Sequence, residues 1–143
     1  MSVTSVERLL GGAGVVRGKP STPGEWIELV RRGLPVAAVD SIANAVGLSQ
    51  AELFHLQAIS ERTLIRRKKE GRVSSDESAK VLRVARIVHR AIAVFENRAK
   101  AVEWLKSPNR ALGSASPLSS LDTDLGAEAV LNTLGRIEHG VFA

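Results

Sequence analysis

The chain contains no cysteine and no tyrosine, and its aromatic residues are limited to two tryptophans and three phenylalanines. The absence of cysteine excludes disulfide bonds, thiolate zinc sites and cysteine nucleophiles. No apolar run approaches the roughly 20 residues that a membrane helix requires, so we expect no membrane association. The first residues also lack the charged and apolar segments of a signal peptide. We therefore expect a cytoplasmic protein.

What is present is an ordinary globular composition. Of the 143 residues, 44% are hydrophobic and 24% are charged. This apolar content is sufficient for a core, so wholesale disorder is not expected. Apolar residues recur at helical spacing, and strand-like alternation is missing. The length fits one domain or two small helical ones, and the pattern predicts an all-α fold.

Charge is unevenly distributed along the chain. The net charge is +5, yet residues 1–59 carry five basic and five acidic side chains. Residues 60–72 carry six basic against two acidic ones, and residues 73–110 carry eight against four. Residues 111–143 reverse the sign, with one arginine against four carboxylates. The middle of the chain is a candidate surface for a polyanion, although basic side chains that only solvate helix faces give the same pattern.

Glycines and helix-capping residues divide the chain into segments. The glycine-rich start has little periodicity and predicts a mobile segment. Thr22, Ser49, Ser60 and Ser74 each stand where an N-cap is expected, and a helical pattern follows each of them. The last helix is expected to end at Gly140. The predicted parts are a flexible leader (1–21), a helix-turn-helix domain (22–73) and a C-terminal helical domain (74–143).

Residues 49–68 predict a helix, a short turn and a second, basic helix, as in a helix-turn-helix DNA-binding motif. Leu64 or Ile65 is expected to anchor the second helix to the core. Ala58 occupies a turn position that often holds glycine, which departs from the motif, and many such helix pairs bind no DNA. The predicted DNA-binding residues are Arg62, Thr63 and Arg66, facing the groove, with Arg67 and Lys69 nearer the phosphates.

No arrangement of residues that would support catalysis is recognisable. His55, His89 and His139 stand far apart, without another histidine or a cysteine at ligand spacing, so no metal site is expected. The serines at 114–120 lack a nucleophile-elbow motif. We therefore expect no enzyme and no cofactor.

Several short segments of the chain have a distinctive sequence. They are Ser-Glu-Arg-Thr-Leu at 60–64 with Arg66 and Arg67, Gly-Arg-Val-Ser at 71–74, Ala-Val-Glu-Trp-Leu at 101–105 and Pro-Asn-Arg-Ala-Leu-Gly at 108–113. The densest stretch runs from Pro-Leu at 117–118 through Leu-Asp-Thr at 121–123 and Gly126 to Leu-Gly-Arg-Ile-Glu-His-Gly-Val-Phe at 134–142. In these segments, from about residue 36 onward, the chain resembles the Xre/ParS-type antitoxins of bacterial toxin–antitoxin operons.

This resemblance implies a DNA-binding region followed by a C-terminal toxin-binding domain. The implied partner is a toxin with a RES domain, which resembles ADP-ribosyltransferases and consumes NAD in the host cell. In the family, the C-terminal end of the antitoxin enters the active-site cleft of the toxin and blocks access of NAD. The complex also represses its own promoter, so operator DNA is the second implied partner.

Carried onto this chain, the blocking element is the helix end and tail at 135–143. The residues alone favour an ordinary helix C-cap with a hydrophobic contact, whereas the resemblance favours a plug for the toxin cleft. The implied toxin-binding residues are Gly135, Arg136, Glu138, His139, Gly140, Val141, Phe142 and Ala143.

The oligomeric state follows from the size of a DNA half-site. One recognition helix covers only one half-site, so we expect at least a homodimer. The long helix from Ser75 and the residues around Trp104 offer apolar surface for this pairing. The alternative function is a dimeric transcription regulator whose C-terminal domain serves only dimerisation.

Overall fold

The computed structural model describes residues 5–140, and this part of the chain is built from nine α-helices and two short 3-10 turns. The α-helices are α1 (Val6–Leu9), α2 (Ala13–Val16), α3 (Pro23–Arg32), α4 (Val36–Ala45), α5 (Gln50–Leu56), α6 (Glu61–Glu70), α7 (Ser75–Phe95), α8 (Arg98–Lys106) and α9 (Asp124–Glu138). The 3-10 turns are Arg110–Leu112 and Leu118–Ser120. The predicted all-α fold is confirmed.

The capping residues start the helices where the sequence predicts. Thr22 and Ser60 each accept a backbone N–H of the first turn of α3 and α6. Ser49 and Ser74 form reciprocal capping boxes with the glutamate three residues later, at the starts of α5 and α7. Each contact satisfies N–H groups that a helix start otherwise leaves without a partner.

The 21-residue helix α7 is the centre of the fold. Its buried face includes Val81, Val84, Ala85 and Val88, and it packs against α3, α4, α8 and α9. Because α7 packs on helices from both halves of the chain, the buried residues form one continuous core. The predicted boundary at residue 73 coincides with the start of α7 and stays a prediction.

The structure differs from the predicted flexible leader. Helices α1 and α2 pack against α4, and α1 also contacts α7. Leu10 and Val16 are buried in the common core. Gly11 and Gly12, which favour a mobile segment by composition, instead form the bend between the two helices with φ values of 104° and 84°. The order comes from tertiary burial of apolar side chains, which local composition does not reveal.

The segment between α3 and α4 is hydrogen-bonded to the segment that connects α6 to α7. Val73 N donates to Leu34 O at 2.9 Å, and Leu34 N donates to the buried Ser78 Oγ at 2.7 Å. Arg72 Nη1 donates to Gly33 O at 2.8 Å. Gly33 has a φ of 88°, and a Cβ there would overlap the carbonyl oxygen of Val73. This close backbone pairing holds both ends of the connection from α6 to α7.

The segment at 107–123, between α8 and α9, is packed against the core. It contains the two 3-10 turns, and it buries Leu118 and Leu121. A Cβ on Gly126 would overlap the carbonyl oxygen of Ser120, so the loop lies directly against the first turn of α9. The position of α9 therefore depends on a glycine contact as well as on apolar burial.

Candidate functional site

Helices α5 and α6 form the predicted helix, turn and helix. In the turn, Ala58 N donates to His55 O at 3.0 Å and Ile59 N donates to Phe54 O at 2.8 Å. Ala58 has a φ of 58°, in the left-handed region that favours glycine. The turn thus has the geometry that glycine usually supplies, and an alanine adopts it here.

Helix α6 has one buried and one exposed side. Leu64 is buried, whereas Ile65 is 54% exposed. Of the two residues predicted as possible anchors, Leu64 is therefore the one that anchors the helix. The exposed side carries Arg62, Arg66 and Lys69 together with Ile65. These positions are three, four and seven residues apart, so they share one face of the helix.

Two of these cations are free of partners in the described part of the chain. Arg62 and Lys69 form no ion pair among residues 5–140, and the Arg66 guanidinium lies 3.9 Å from a carboxylate oxygen of Glu70. Ion pairs as long and exposed as the last one contribute little to stability. The three side chains therefore present positive charge to solvent.

Thr63 lies at the start of the same helix and is half-buried. Its hydroxyl lies 2.9 Å from Ser60 Oγ, and its backbone N–H donates to the same oxygen at 3.1 Å. The Thr63 side chain is thus part of the helix cap.

Arg67 points away from the exposed face, toward α7. Its Nε and Nη2 donate to the two carboxylate oxygens of Glu77 at 2.7 and 3.0 Å, and its Nη1 donates to Glu70 at 3.0 Å. The side chains of Arg67 and Glu77 are only 16% and 12% exposed. The structure therefore places Arg67 between α6 and α7, away from the surface on which its predicted phosphate contact would have to lie.

The charge of Glu77 depends on two opposing effects. Burial raises the pKa of the Glu77 carboxyl, but the hydrogen bonds from Arg67 and from Ser74 N outweigh burial and leave the pKa below its ordinary value. The hydrogen bond to Glu77 in turn raises the pKa of Arg67. Both groups are charged at neutral pH, so a bidentate ion pair fixes α6 on α7.

The C-terminal end of α9 is a second exposed surface. Arg136, His139 and Gly140 are exposed, and Gly135 is half-buried with open space where its Cβ would lie. Gly140 has a φ of 73° and follows the end of the helix, as predicted. The remaining predicted toxin-binding residues, Val141, Phe142 and Ala143, lie outside the described residues.

Glu138 belongs to this surface but has a partner within the chain. Arg90 of α7 donates to its two carboxylate oxygens at 2.6 and 3.0 Å. This hydrogen bonding lowers the pKa of Glu138 and raises the pKa of Arg90. The two side chains are 37% and 38% exposed, so solvent reaches both of them.

Sequence reasoning missed an apolar groove beside α7. One part has a volume of about 560 Å³ and lies between α3 and α7, with Ile27 and Leu82 in its lining. A neighbouring part of about 570 Å³ shares Leu82 and extends to Leu131 of α9. Leu131 is exposed and directly follows the buried Val130. A leucine outside the apolar stripe of α9 is the feature of the sequence that could have indicated this groove.

Trp104, around which the sequence predicts apolar surface for pairing, is partly buried. The Trp104 ring packs against Phe95 with a centroid distance of 5.7 Å, and both side chains are partly buried. Trp104 therefore belongs to the packing between α7 and α8.

Neither a metal-binding cluster nor a membrane-spanning helix is found among residues 5–140. No group of three or more histidine, cysteine, aspartate or glutamate side chains in this range is arranged to hold a metal ion. Within the same range, no helix combines the length and the apolar character needed to cross a bilayer.

Two family models match consecutive parts of the chain. The model of the antitoxin Xre-like helix-turn-helix domain matches residues 25–86. The model of the antitoxin Xre/MbcA/ParS C-terminal toxin-binding domain matches residues 90–140. Both matches include part of α7, the helix that packs on helices of each matched region.

Curated relatives cover most of the chain. The chain is 37% identical over 129 residues to an antitoxin Xre of Photorhabdus laumondii. This match covers 88% of this chain and 87% of that protein. An antitoxin Xre of Yersinia enterocolitica is 34% identical with the same coverage. A Prs ADP-ribosylating antitoxin of a Sphingobium species is 26% identical over 86% of this chain and 84% of its own length. The chain belongs to the Xre family of antitoxins.

Proposed function

We propose that this antitoxin neutralises a cognate RES-domain, NAD-consuming toxin by placing its C-terminal segment in the active site of the toxin. It also represses its own operon by binding operator DNA in the cytoplasm, and it has no enzymatic activity of its own. The observation that carries the proposal is the presence of two exposed surfaces of different chemistry. One is the cationic face of α6, and the other is the glycine-containing end of α9.

The cationic face of α6 supports the DNA-binding part of the proposal. Arg62, Arg66 and Lys69 lie on one side of the second helix of a helix-turn-helix unit, where base edges and phosphates are contacted. The Thr63 hydroxyl lies at the helix start, the end that enters the major groove. Arg67 is not part of the proposed contact surface, because its guanidinium is already bonded to two carboxylates.

The test of this part is the affinity of the protein for a fragment of its own promoter. We expect Arg66→Ala to weaken binding by about 1–3 kcal/mol if the side chain contacts a base. Arg31→Ala is the matched control, because Arg31 is similarly exposed and lies beside a carboxylate, Glu28, on α3. Equal affinities of the two variants would show that Arg66 does not contact the operator and that DNA is bound by another face or another helix.

The end of α9 supports the toxin-blocking part. Open space at Gly135 allows another backbone to approach, and the exposed Arg136 can form charge-assisted hydrogen bonds with a partner. A toxin site that holds the phosphates of NAD is expected to contain cations, which suit the solvent-accessible carboxylate of Glu138. The family match at 90–140 and the ADP-ribosylating description of the Sphingobium relative also agree with a toxin of this chemistry.

The test of this part separates inhibition from binding. Deletion of residues 140–143 should restore NAD consumption by the purified complex more than it weakens the complex, because the helical surface of α9 is retained. Affinity for the operator should not change, since α6 is intact. Full inhibition by the truncated antitoxin would refute blocking by the tail.

We further propose that the protein is at least a homodimer, because one α6 covers a single half-site. We assign this pairing to the groove beside α7, whose lining includes the exposed Ile27 and Leu131, because Trp104 is partly buried. Light scattering at micromolar concentration, without toxin, should give at least twice the chain mass. Co-purification with the product of the neighbouring gene separates an antitoxin from a regulator whose C-terminal domain only dimerises.

A further inference from the structure

Ile65 is an apolar residue on a helix face that is otherwise charged. The residue is 54% exposed, whereas the preceding residue, Leu64, is buried. Of these two aliphatic side chains, Leu64 is therefore the one that packs α6 onto the core. The Ile65 side chain buries only part of its surface within the folded chain, which is consistent with contact to a binding partner.

The neighbours of Ile65 indicate what it faces. Arg62 lies three residues before it, Arg66 follows it directly, and Lys69 lies four residues after it on the same face. Cations on both sides bring this face to a polyanion, but an aliphatic side chain gains nothing from a phosphate. The apolar group that double-stranded DNA presents in the major groove is the C5-methyl group of thymine.

We propose that Ile65 contacts a thymine methyl group in each operator half-site and thereby determines specificity at that base pair. The inference rests on the proposed binding of DNA by α6 and adds to it the base that is recognised. The β-branched side chain of isoleucine has one strongly preferred rotamer in a helix, so its methyl groups are held in place before DNA binds.

The experiment replaces thymines by deoxyuridine, which removes only the C5-methyl group. Each thymine of the protected promoter half-site is replaced in turn, and the dissociation constant is measured by fluorescence anisotropy at fixed salt. For the unaltered protein we expect one position at which the replacement weakens binding about fourfold, the effect of losing the burial of about one methyl group.

The variants assign this loss to Ile65. Ile65→Ala should bind the thymine and deoxyuridine fragments equally, and Ile65→Val should keep part of the difference. Because Ile65 is uncharged, the slope of affinity against salt should not change, whereas Arg66→Ala should reduce it. Leu125→Ala, which removes an exposed aliphatic side chain from α9, should keep the full difference.

The outcomes separate this inference from the proposed function. Arg66-dependent binding without any sensitive thymine overturns the role of Ile65 and leaves DNA binding by α6 intact. The same conclusion follows if Ile65→Ala still discriminates the methyl group, or if it impairs toxin binding instead of operator binding. Failure of the unaltered protein to bind its promoter overturns both.

Discussion

Helices α6 and α9 are held on α7 by ion pairs of opposite polarity. From α6 an arginine, Arg67, reaches a glutamate of α7, and from α9 a glutamate, Glu138, reaches an arginine of α7. The pair of α6 is mostly buried and includes the capping box at the start of α7. The Glu138 pair of α9 is more than one-third exposed, and in a second pair between α9 and α7 the Asp124 carboxylate opposite Arg83 is almost fully exposed. An ion pair with α7 is therefore expected to contribute more to the stability of α6 than to that of α9.

The difference bears on how each surface is prepared for its partner. A buried bidentate pair fixes the direction of α6, so its remaining cations face outward in one arrangement. An exposed pair contributes little to stability and is weakened by salt. We therefore expect α9 to depend mainly on close packing for its position, and its end to keep a carboxylate that solvent can reach.

The largest effect is expected from breaking the packing of α9. Gly126→Ala places a Cβ against the Ser120 carbonyl oxygen and should lower the free energy of unfolding by about 3 kcal/mol. Gly135→Ala in the same helix meets open space and should raise it by about 0.5–1 kcal/mol, because alanine is the better helix former. Urea denaturation measures both values. Similar results for the two variants would contradict an α9 held by close packing.

The two ion pairs can be compared directly by removing one charge from each. Glutamine keeps the shape and one acceptor oxygen, so Glu77→Gln removes mainly the charge opposite Arg67. It should lower the urea midpoint and weaken operator binding several-fold, because α6 loses its fixed direction. Glu138→Gln should change the midpoint little and leave operator binding unchanged, since its pair is exposed.

The operator measurement distinguishes positioning from simple destabilisation. At a temperature where both proteins are folded, weaker binding by Glu77→Gln reports the orientation of α6. Unchanged affinity together with a lower midpoint would show that the pair stabilises the fold without directing α6 toward DNA.

Most of the helical architecture could be predicted because its signals are local. Thr22, Ser49, Ser60 and Ser74 mark helix starts in sequence and do so in the structure. The order in residues 5–20 could not be predicted, because it comes from burial of side chains such as Leu10 against helices distant in the chain. Local composition carries no record of such contacts.

The candidate site shows the same limit at the level of single residues. The basic character of α6 is visible in the sequence, but which cation turns inward depends on where Glu77 lies in space. Arg67 already has a carboxylate three residues away in Glu70, which gave no indication of a second partner on α7. Likewise, only burial separates Leu64 from Ile65 as the anchor.

A smaller effect is expected from acid. The pKa of Glu77 in the folded protein is lower than its ordinary value of 4.5, so ionised Glu77 stabilises the fold above that pH. This stabilisation is lost as the pH falls from about 4.5 toward the pKa of the folded state. The difference in free energy of unfolding between the unaltered protein and Glu77→Gln should therefore shrink between pH 6 and pH 3. A difference that stays constant over this range would show that the charge of Glu77 does not cause it.

The smallest effect is expected in the turn that leads into α6. Ala58 has a φ of 58°, a conformation that costs an L-residue about 1–2 kcal/mol but costs glycine little. Glycine also loses more backbone entropy on folding, which offsets part of the gain. Ala58→Gly should therefore raise the free energy of unfolding by about 0.5–1 kcal/mol. Ala79→Gly on the exposed side of α7 is the matched control, and it should lower the free energy by a similar amount because that backbone is helical. The same substitution with opposite signs at the two positions would show that the left-handed turn carries strain, and a loss of stability at both would show that it carries none.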